Sequence, residues 1–210
     1  MNKSITYPVV EIFKSLQGEG FNTGRAMVFI RFGGCNLACP WCDTPYNDFK
    51  MRDAEYIIRT VEGFGIKSLL ITGGEPLIVK GLKALLEYFR HKGFWIAVET
   101  NGVDAADDGI VNLFDYITVS PKAFYADFYH KEPAVCKADE LRVVADGNVL
   151  EFCRFISGKI KADHYFLSPC EQKGKMNIRE CVRLLGWLNQ SSEDPHWQLS
   201  VQTHKLCGMK

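Results

Sequence analysis

The sequence is short of several things, and each shortage closes off a class of protein. No apolar run approaches the roughly 18 residues that a membrane-spanning helix needs. The first twenty residues, with Lys3, Glu11 and Lys14 among them, lack the uninterrupted apolar stretch of a secretory leader. A soluble cytoplasmic protein with no membrane partner is expected. Net charge is also missing, since 25 Lys and Arg balance 25 Asp and Glu in 210 residues. No block of five or six like charges occurs, so the clustered cations that neutralise several phosphates are absent and direct nucleic-acid binding is not expected. There is no repeat, low-complexity tract or linker, and the length suits a single domain over 1–210.

Cysteine, by contrast, is plentiful. Eight cysteines in a chain without a leader argue against a disulfide framework, because the reducing cytoplasm keeps thiols free. Five are scattered (Cys136, Cys153, Cys170, Cys181, Cys207), whereas Cys35, Cys39 and Cys42 form a C-x3-C-x2-C run. That spacing reads as a ligand cluster. Three thiolates complete neither a structural zinc site nor an ordinary electron-transfer cluster, both of which use four protein ligands. The fourth ligand is therefore missing, distant or foreign. A zinc site completed by a remoter cysteine or a histidine stays open at this level, as does a [4Fe-4S] cluster with one iron left free for a chelating small molecule.

Glycine and proline divide the chain into short apolar runs alternating with helical patterns, the order of parallel βαβ units. Strands are expected at Met27 to Phe32, Ser68 to Thr72, Trp95 to Glu99, Tyr116 to Ser120, Leu141 to Ala145, Tyr165 to Ser168 and Gln198 to Gln202. The clearest helix carries Leu82, Leu85, Leu86 and Phe89 and is closed by Gly93, which suits a left-handed cap. A second carries Ile178, Cys181, Leu185 and Leu188; weaker patterns lie near Asp53 to Glu62 and Val149 to Ile160, and Lys122 to Ala138 reads as irregular. In parallel α/β folds, binding residues gather after the carboxyl ends of strands. The cysteine loop, Gly73-Gly74-Glu75-Pro76, Thr100-Asn101-Gly102 and Pro121-Lys122 all fall there, which makes that end the expected active face.

The run from Gly34 to Cys42 closely resembles the cluster loop of the radical S-adenosylmethionine enzymes, including an aromatic residue before the third cysteine. Thr72 to Pro76 resembles their Gly-Gly-Glu-Pro turn, and Ser120-Pro121-Lys122 a cofactor contact. Two further motifs are more specific: Leu16-Gln17-Gly18-Glu19-Gly20 near the start, and Gln202-Thr203-His204-Lys205 near the end. With Phe29 to Leu37, Trp41 to Thr44 and Val98 to Gly102, they make the chain similar to the 7-carboxy-7-deazaguanine synthases from Glu11 onward.

That resemblance implies an α/β fold, an abridged and partly open (β/α) barrel of the radical S-adenosylmethionine type, with a substrate loop at 11–25 and a closing tail at 197–210. It implies a lyase that converts 6-carboxy-5,6,7,8-tetrahydropterin to 7-carboxy-7-deazaguanine with loss of ammonia, on the route to queuosine. A 5′-deoxyadenosyl radical would take hydrogen from C6 of the pterin, and S-adenosylmethionine would be re-formed after turnover. The implied cofactors are a [4Fe-4S] cluster on Cys35, Cys39 and Cys42, S-adenosylmethionine, and Mg²⁺ with Thr44 as its protein ligand. Trp41, Cys42, Asp43, Gly74, Ser120, Pro121 and Lys122 would contact S-adenosylmethionine. Leu16, Gln17, Gly18, Arg31, Thr72 and the chain end at Lys210 would contact the pterin. Implied partners are a flavodoxin-like electron donor and a second copy in a homodimer.

Residue chemistry agrees at Arg31, whose planar fork suits a carboxylate, and at Thr44, because Mg²⁺ keeps most of its waters and needs few protein oxygens. Glu99, at a strand end, is a candidate catalytic acid/base or pterin-binding group, and His204 a candidate catalytic residue acting from behind the groups that touch substrate; each also has an ordinary structural reading. Ser168-Pro169-Cys170 departs from the Gln-Pro of similar chains. Two rival readings remain: an activase that installs a glycyl radical in a partner protein, and a noncatalytic metal-binding interaction module.

Overall fold

The computed structural model describes residues 5–107, 109–172 and 174–209. Strands β1 (Thr6–Leu16), β2 (Ala26–Phe32) and β3 (Lys50–Asp53) open the chain, followed by α1 (Ala54–Gly63), β4 (Ser68–Gly73), α2 (Leu82–His91), β5 (Trp95–Thr100) and β6 (Tyr116–Val119). The second half runs through β7 (Lys137–Ala145), α3 (Leu150–Lys159), β8 (Lys161–Pro169), a small hairpin of β9 (Glu171–Gln172) and β10 (Lys175–Met176), α4 (Ile178–Leu188), β11 (Trp197–Leu199) and the short α5 (Thr203–Leu206). Nine strands form one sheet in the order β11-β8-β7-β6-β5-β4-β2-β1-β3. From β2 to β11 all neighbours are parallel, while β1 runs antiparallel to both β2 and β3. The sheet does not close: β3 and β11 are its two edges, as expected for a partly open barrel.

Alternation along the strands decides what each face buries. Val28, Ile30 and Phe32 of β2, Leu69 and Ile71 of β4, and Ile96 and Val98 of β5 pack with Ile57 and Val61 of α1 and Leu82, Leu85, Leu86 and Phe89 of α2. Their neighbours Met27, Phe29, Leu70, Ala97 and Tyr116 form a smaller cluster on the inner face of the curled sheet. Because both faces are covered, these strands read as nearly unbroken apolar runs, which is why they were legible.

Elsewhere the structure corrects the sequence reading. The expected loop at 11–25 begins as strand, since β1 extends to Leu16. Pro8 hid that strand, and it is accommodated beside a register shift between Val9 and Glu11. The charged edge strand β3 and the β9–β10 hairpin carried too little apolar signal to be read. On α4 the buried stripe is Cys181, Leu184 and Leu188, whereas Ile178 is exposed. The last strand stops at Leu199, not Gln202, and Thr203–Leu206 turns into a helix. Gly93 closes α2 at φ +74°, as expected of a left-handed cap.

Candidate active site

The loops after β2, β4, β5, β6, β8 and β11, with Arg142 and Val144 of β7, line one cavity of about 870 Å³. That lies toward the top of the roughly 300–1,000 Å³ typical of small-molecule sites. Its walls include Cys35, Cys39, Cys42, Trp41, Asp43 and Thr44 from the cysteine loop, Leu16 at the end of β1, Gln17 and Gly18 just after it, and Arg31 of β2. Thr72, Gly74, Glu99, Ser120, Lys122 and His204 also face it. Pro121 is buried between two wall residues without reaching the cavity itself, and Lys210 lies outside the described residues.

The cysteine loop is pinned at both ends. Gly34 N–H donates to the Tyr46 carbonyl at 2.8 Å, and Cys42 N–H to the Cys39 carbonyl at 3.1 Å. The glycine turn after β4 is stitched to it, since Gly74 N–H donates to the Phe32 carbonyl (3.0 Å) and Glu75 N–H to the Gly34 carbonyl (2.9 Å). A methyl group on Gly74 would sit 1.9 Å from the Gly34 oxygen, so only glycine lets the two segments touch. Asn101 then reaches the loop, donating from Nδ2 to Asn36 Oδ1 at 2.8 Å.

The donor set fits an iron-sulfur cluster. Burial pushes the Cys35 and Cys39 thiols above the ordinary cysteine value, while Leu37 N–H at Cys35 and Lys122 at both pull the other way. Binding metal would displace those protons. Among the described residues no three His, Cys, Asp or Glu side chains converge as a single ion requires. A cluster does not need that, because each thiolate binds a different iron. Above the thiols, Lys122 Nζ donates to Ser120 Oγ at 2.8 Å and lies 5.4 Å from the Trp41 ring centre. Trp41 is itself held by its Nε1–H to Asp146 at 2.9 Å.

The opposite wall is a network of polar side chains. Glu11 and Arg31 face each other across β1 and β2 and pair at 2.9 Å, and Arg31 Nη1 donates to Thr44 Oγ1 at 3.1 Å. Glu99 accepts from Gln17 Nε2 (3.0 Å) and the Thr72 hydroxyl (3.2 Å), and from Arg142 at 2.5 Å. Burial would raise the Glu99 carboxyl, but Arg142 and these donors outweigh it and hold it below the usual carboxylate range. It faces the cavity as an anion that accepts hydrogen bonds.

The two terminal motifs meet here. Thr203 donates from both its N–H (2.9 Å) and its hydroxyl (3.0 Å) to the Gly18 carbonyl, Gln202 Nε2 donates to Glu19 at 2.7 Å, and Gly20 N–H donates to Ser200 Oγ at 2.8 Å. A methyl group on Gly18 would lie 1.9 Å from His204 Nδ1. Sequence reasoning brought out nearly every wall residue that belongs to a motif. It missed Arg142, a buried charged residue of β7, and Glu11, whose strand was hidden. Ser168 lines the cavity with its buried Oγ unpartnered among the described residues, and Cys170 lies beside it.

Comparisons with known proteins agree with this geometry. The family model described as the radical SAM superfamily matches residues 29–143. A 7-carboxy-7-deazaguanine synthase from Haemophilus influenzae is 53% identical over 204 residues, covering 97% of this chain and 94% of the relative. One from Neisseria meningitidis is 48% identical with the same coverage. The crystal structure of QueE from Escherichia coli superimposes with a TM-score of 0.66 over 94% of each chain at 24% identity, a likeness of fold.

Proposed function

The chain belongs to the radical S-adenosylmethionine superfamily and, within it, to the 7-carboxy-7-deazaguanine synthases, and from that premise we propose how its residues divide the work. The reaction is conversion of 6-carboxy-5,6,7,8-tetrahydropterin to 7-carboxy-7-deazaguanine with loss of ammonia, in queuosine biosynthesis. The observation that carries this reading is the meeting of the cysteine loop with both terminal motifs around one cavity. An activase acting on a protein has no use for those motifs.

Cys35, Cys39 and Cys42 hold the [4Fe-4S] cluster, which together with S-adenosylmethionine supplies the one-electron cleavage that begins the reaction. The backbone at Gly74, the side chains of Ser120 and Lys122, and the segment Trp41 to Asp43 hold the S-adenosylmethionine, with buried Pro121 fixing the backbone between Ser120 and Lys122. On the opposite wall Arg31 takes the substrate carboxylate. Thr44, in contact with Arg31, would contribute a hydroxyl oxygen to Mg²⁺. Leu16, Gln17, Gly18, Thr72 and Glu99 hold the pterin ring, His204 closes over it, and the chain end at Lys210 completes the pocket. A homodimer reduced by a flavodoxin-like donor in the cytoplasm fits the family; no helix among the described residues is long and apolar enough to cross a membrane.

The test is anaerobic reconstitution with iron and sulfide, then incubation with the carboxypterin, S-adenosylmethionine, Mg²⁺ and a reductant. Formation of 7-carboxy-7-deazaguanine is expected, with Cys39→Ala forming neither cluster nor product and Cys136→Ala forming both. A full four-iron cluster in Cys39→Ala would sink the assignment. For Thr44→Ala the cluster is expected to stay intact while the Mg²⁺ dependence of turnover weakens, and an unchanged Mg²⁺ response would remove Thr44 as a ligand.

A further inference from the structure

Arg142 lies in the middle of β7 with only 4% of its side chain exposed, and its guanidinium meets three carboxylates: Glu99 at 2.5 Å, Glu19 at 3.1 Å and Glu140 at 3.5 Å. We propose that Arg142 is the positioning residue of this site, holding Glu99 as an oriented carboxylate for the pterin and tying it to the docked N-terminal loop. The proposal rests on the pterin reading above and deepens it.

The three partners come from three parts of the chain. Glu140 shares a face of β7 with Arg142, Glu99 lies two strands away on β5, and Glu19 belongs to the loop after β1. A planar guanidinium can serve three directions at once, which a lysine ammonium on a flexible stem does not do with the same fixed fork. Glu140 is already occupied by Phe21 N–H (2.9 Å) and the Tyr116 hydroxyl (3.0 Å). Glu19 is also held by Gln202 of the tail. Glu99 differs, because it opens on the cavity. Its Oε1 takes Arg142 and Gln17, while Oε2 takes the Thr72 hydroxyl and keeps capacity for a further donor, such as an N–H of an aminopyrimidinone ring. The Arg142–Glu19 contact is close without being an aligned hydrogen bond, so charge rather than direction holds the loop at that point.

Several ionisable groups surround Glu99 among the described residues. Arg142 and Glu140 lie on β7, Glu19 on the loop, and Arg31, Lys122 and His204 on the remaining walls. Thr72 of β4, and Thr118 of β6, which pairs with Glu99 in register, carry no charge. Arg142 is thus the cation in direct contact with Glu99. Without it, burial and the two other carboxylates act in one direction and favour the protonated acid.

The test compares the cluster-loaded parent with R142M, which removes charge and fork, and R142K, which keeps the charge alone. Glutamate side-chain carboxyls are labelled with ¹³C and the Glu99 signal is assigned by its loss in E99Q. In R142M the Glu99 titration and the acid limb of kcat/KM for the pterin should both move up by about one to three pH units. KM for the pterin should rise about tenfold or more, and KM for S-adenosylmethionine should not change. In R142K the titration should stay near that of the parent while KM for the pterin still rises about tenfold. A merely structural role would lower activity without moving the Glu99 titration. Should R142M not fold, R142K decides, and a pterin KM equal to the parent's overturns the proposal. An unmoved Glu99 titration in folded R142M overturns it as well. Failure of the parent to turn over the pterin would count against the functional reading, and the Glu99 titration would still decide the role of Arg142.

Discussion

Glu75 is wholly buried in the turn after β4, and its carboxylate accepts from the Thr100 hydroxyl (2.7 Å), Asn101 N–H (2.7 Å) and Leu77 N–H (2.9 Å). It joins the ends of β4 and β5 under the cysteine loop, so the acid of the Gly-Gly-Glu-Pro turn works as a strut for the cofactor wall. Burial raises its carboxyl from 4.5 to about 7, against the pull of those three donors and Lys122. A carboxyl whose folded value is raised binds its proton more tightly when folded. Its contribution to stability is full below 4.5, falls as pH rises through about 7, and is flat above. The difference is on the order of 3 kcal/mol. In the cluster-free protein the melting-temperature gap between parent and Glu75→Gln should therefore shift against the parent from pH 4.5 to pH 8. A gap that does not vary with pH would show that Glu75 does not titrate in this range. The turn itself was legible in the sequence, but the partners Thr100 and Asn101 of Glu75 were not, because they lie 25 and 26 residues away in the chain.

At the scale of elements, the central parallel strands β2, β4, β5 and β6 were read within a residue or so because burial on both faces leaves an apolar run, and α2 because its stripe and its glycine cap coincide, whereas the charged starts of β7 and β8 were not read as strand. The elements that were missed are polar edges or contain proline, where little surface is buried. The tail was misread for a different reason. Ser200 N–H still reaches the Leu167 carbonyl of β8, but beyond it Thr203 bonds to the loop at Gly18, a partner 185 residues away that local sequence does not disclose. That docking sets up an element-level prediction. Gly18→Ala places a methyl group where His204 lies, so the tail must move off the loop. Trypsin cleavage at Lys205 should then quicken and KM for the pterin rise about tenfold, while the cluster content and KM for S-adenosylmethionine stay unchanged. Parent-like proteolysis and kinetics would mean that the tail closes the site by some other contact.

Across the whole molecule, the strand ends of one open sheet present two chemically different walls to a single cavity: thiols and Lys122 on one side, carboxylates with Arg31 and Arg142 on the other. The motifs told which residues belong to each wall. What they did not tell is that the walls are joined through the sheet, by Gly74 against Gly34 and by Arg142 reaching across β6 to Glu99. That join fixes the spacing of the two walls. The most direct measurement is turnover of carboxypterin deuterated at C6, followed by mass analysis of the S-adenosylmethionine recovered. If both ligands occupy this cavity, deuterium is expected in the 5′ carbon of the recovered cofactor as 7-carboxy-7-deazaguanine accumulates. Product formed while the cofactor stays free of deuterium would contradict the shared cavity.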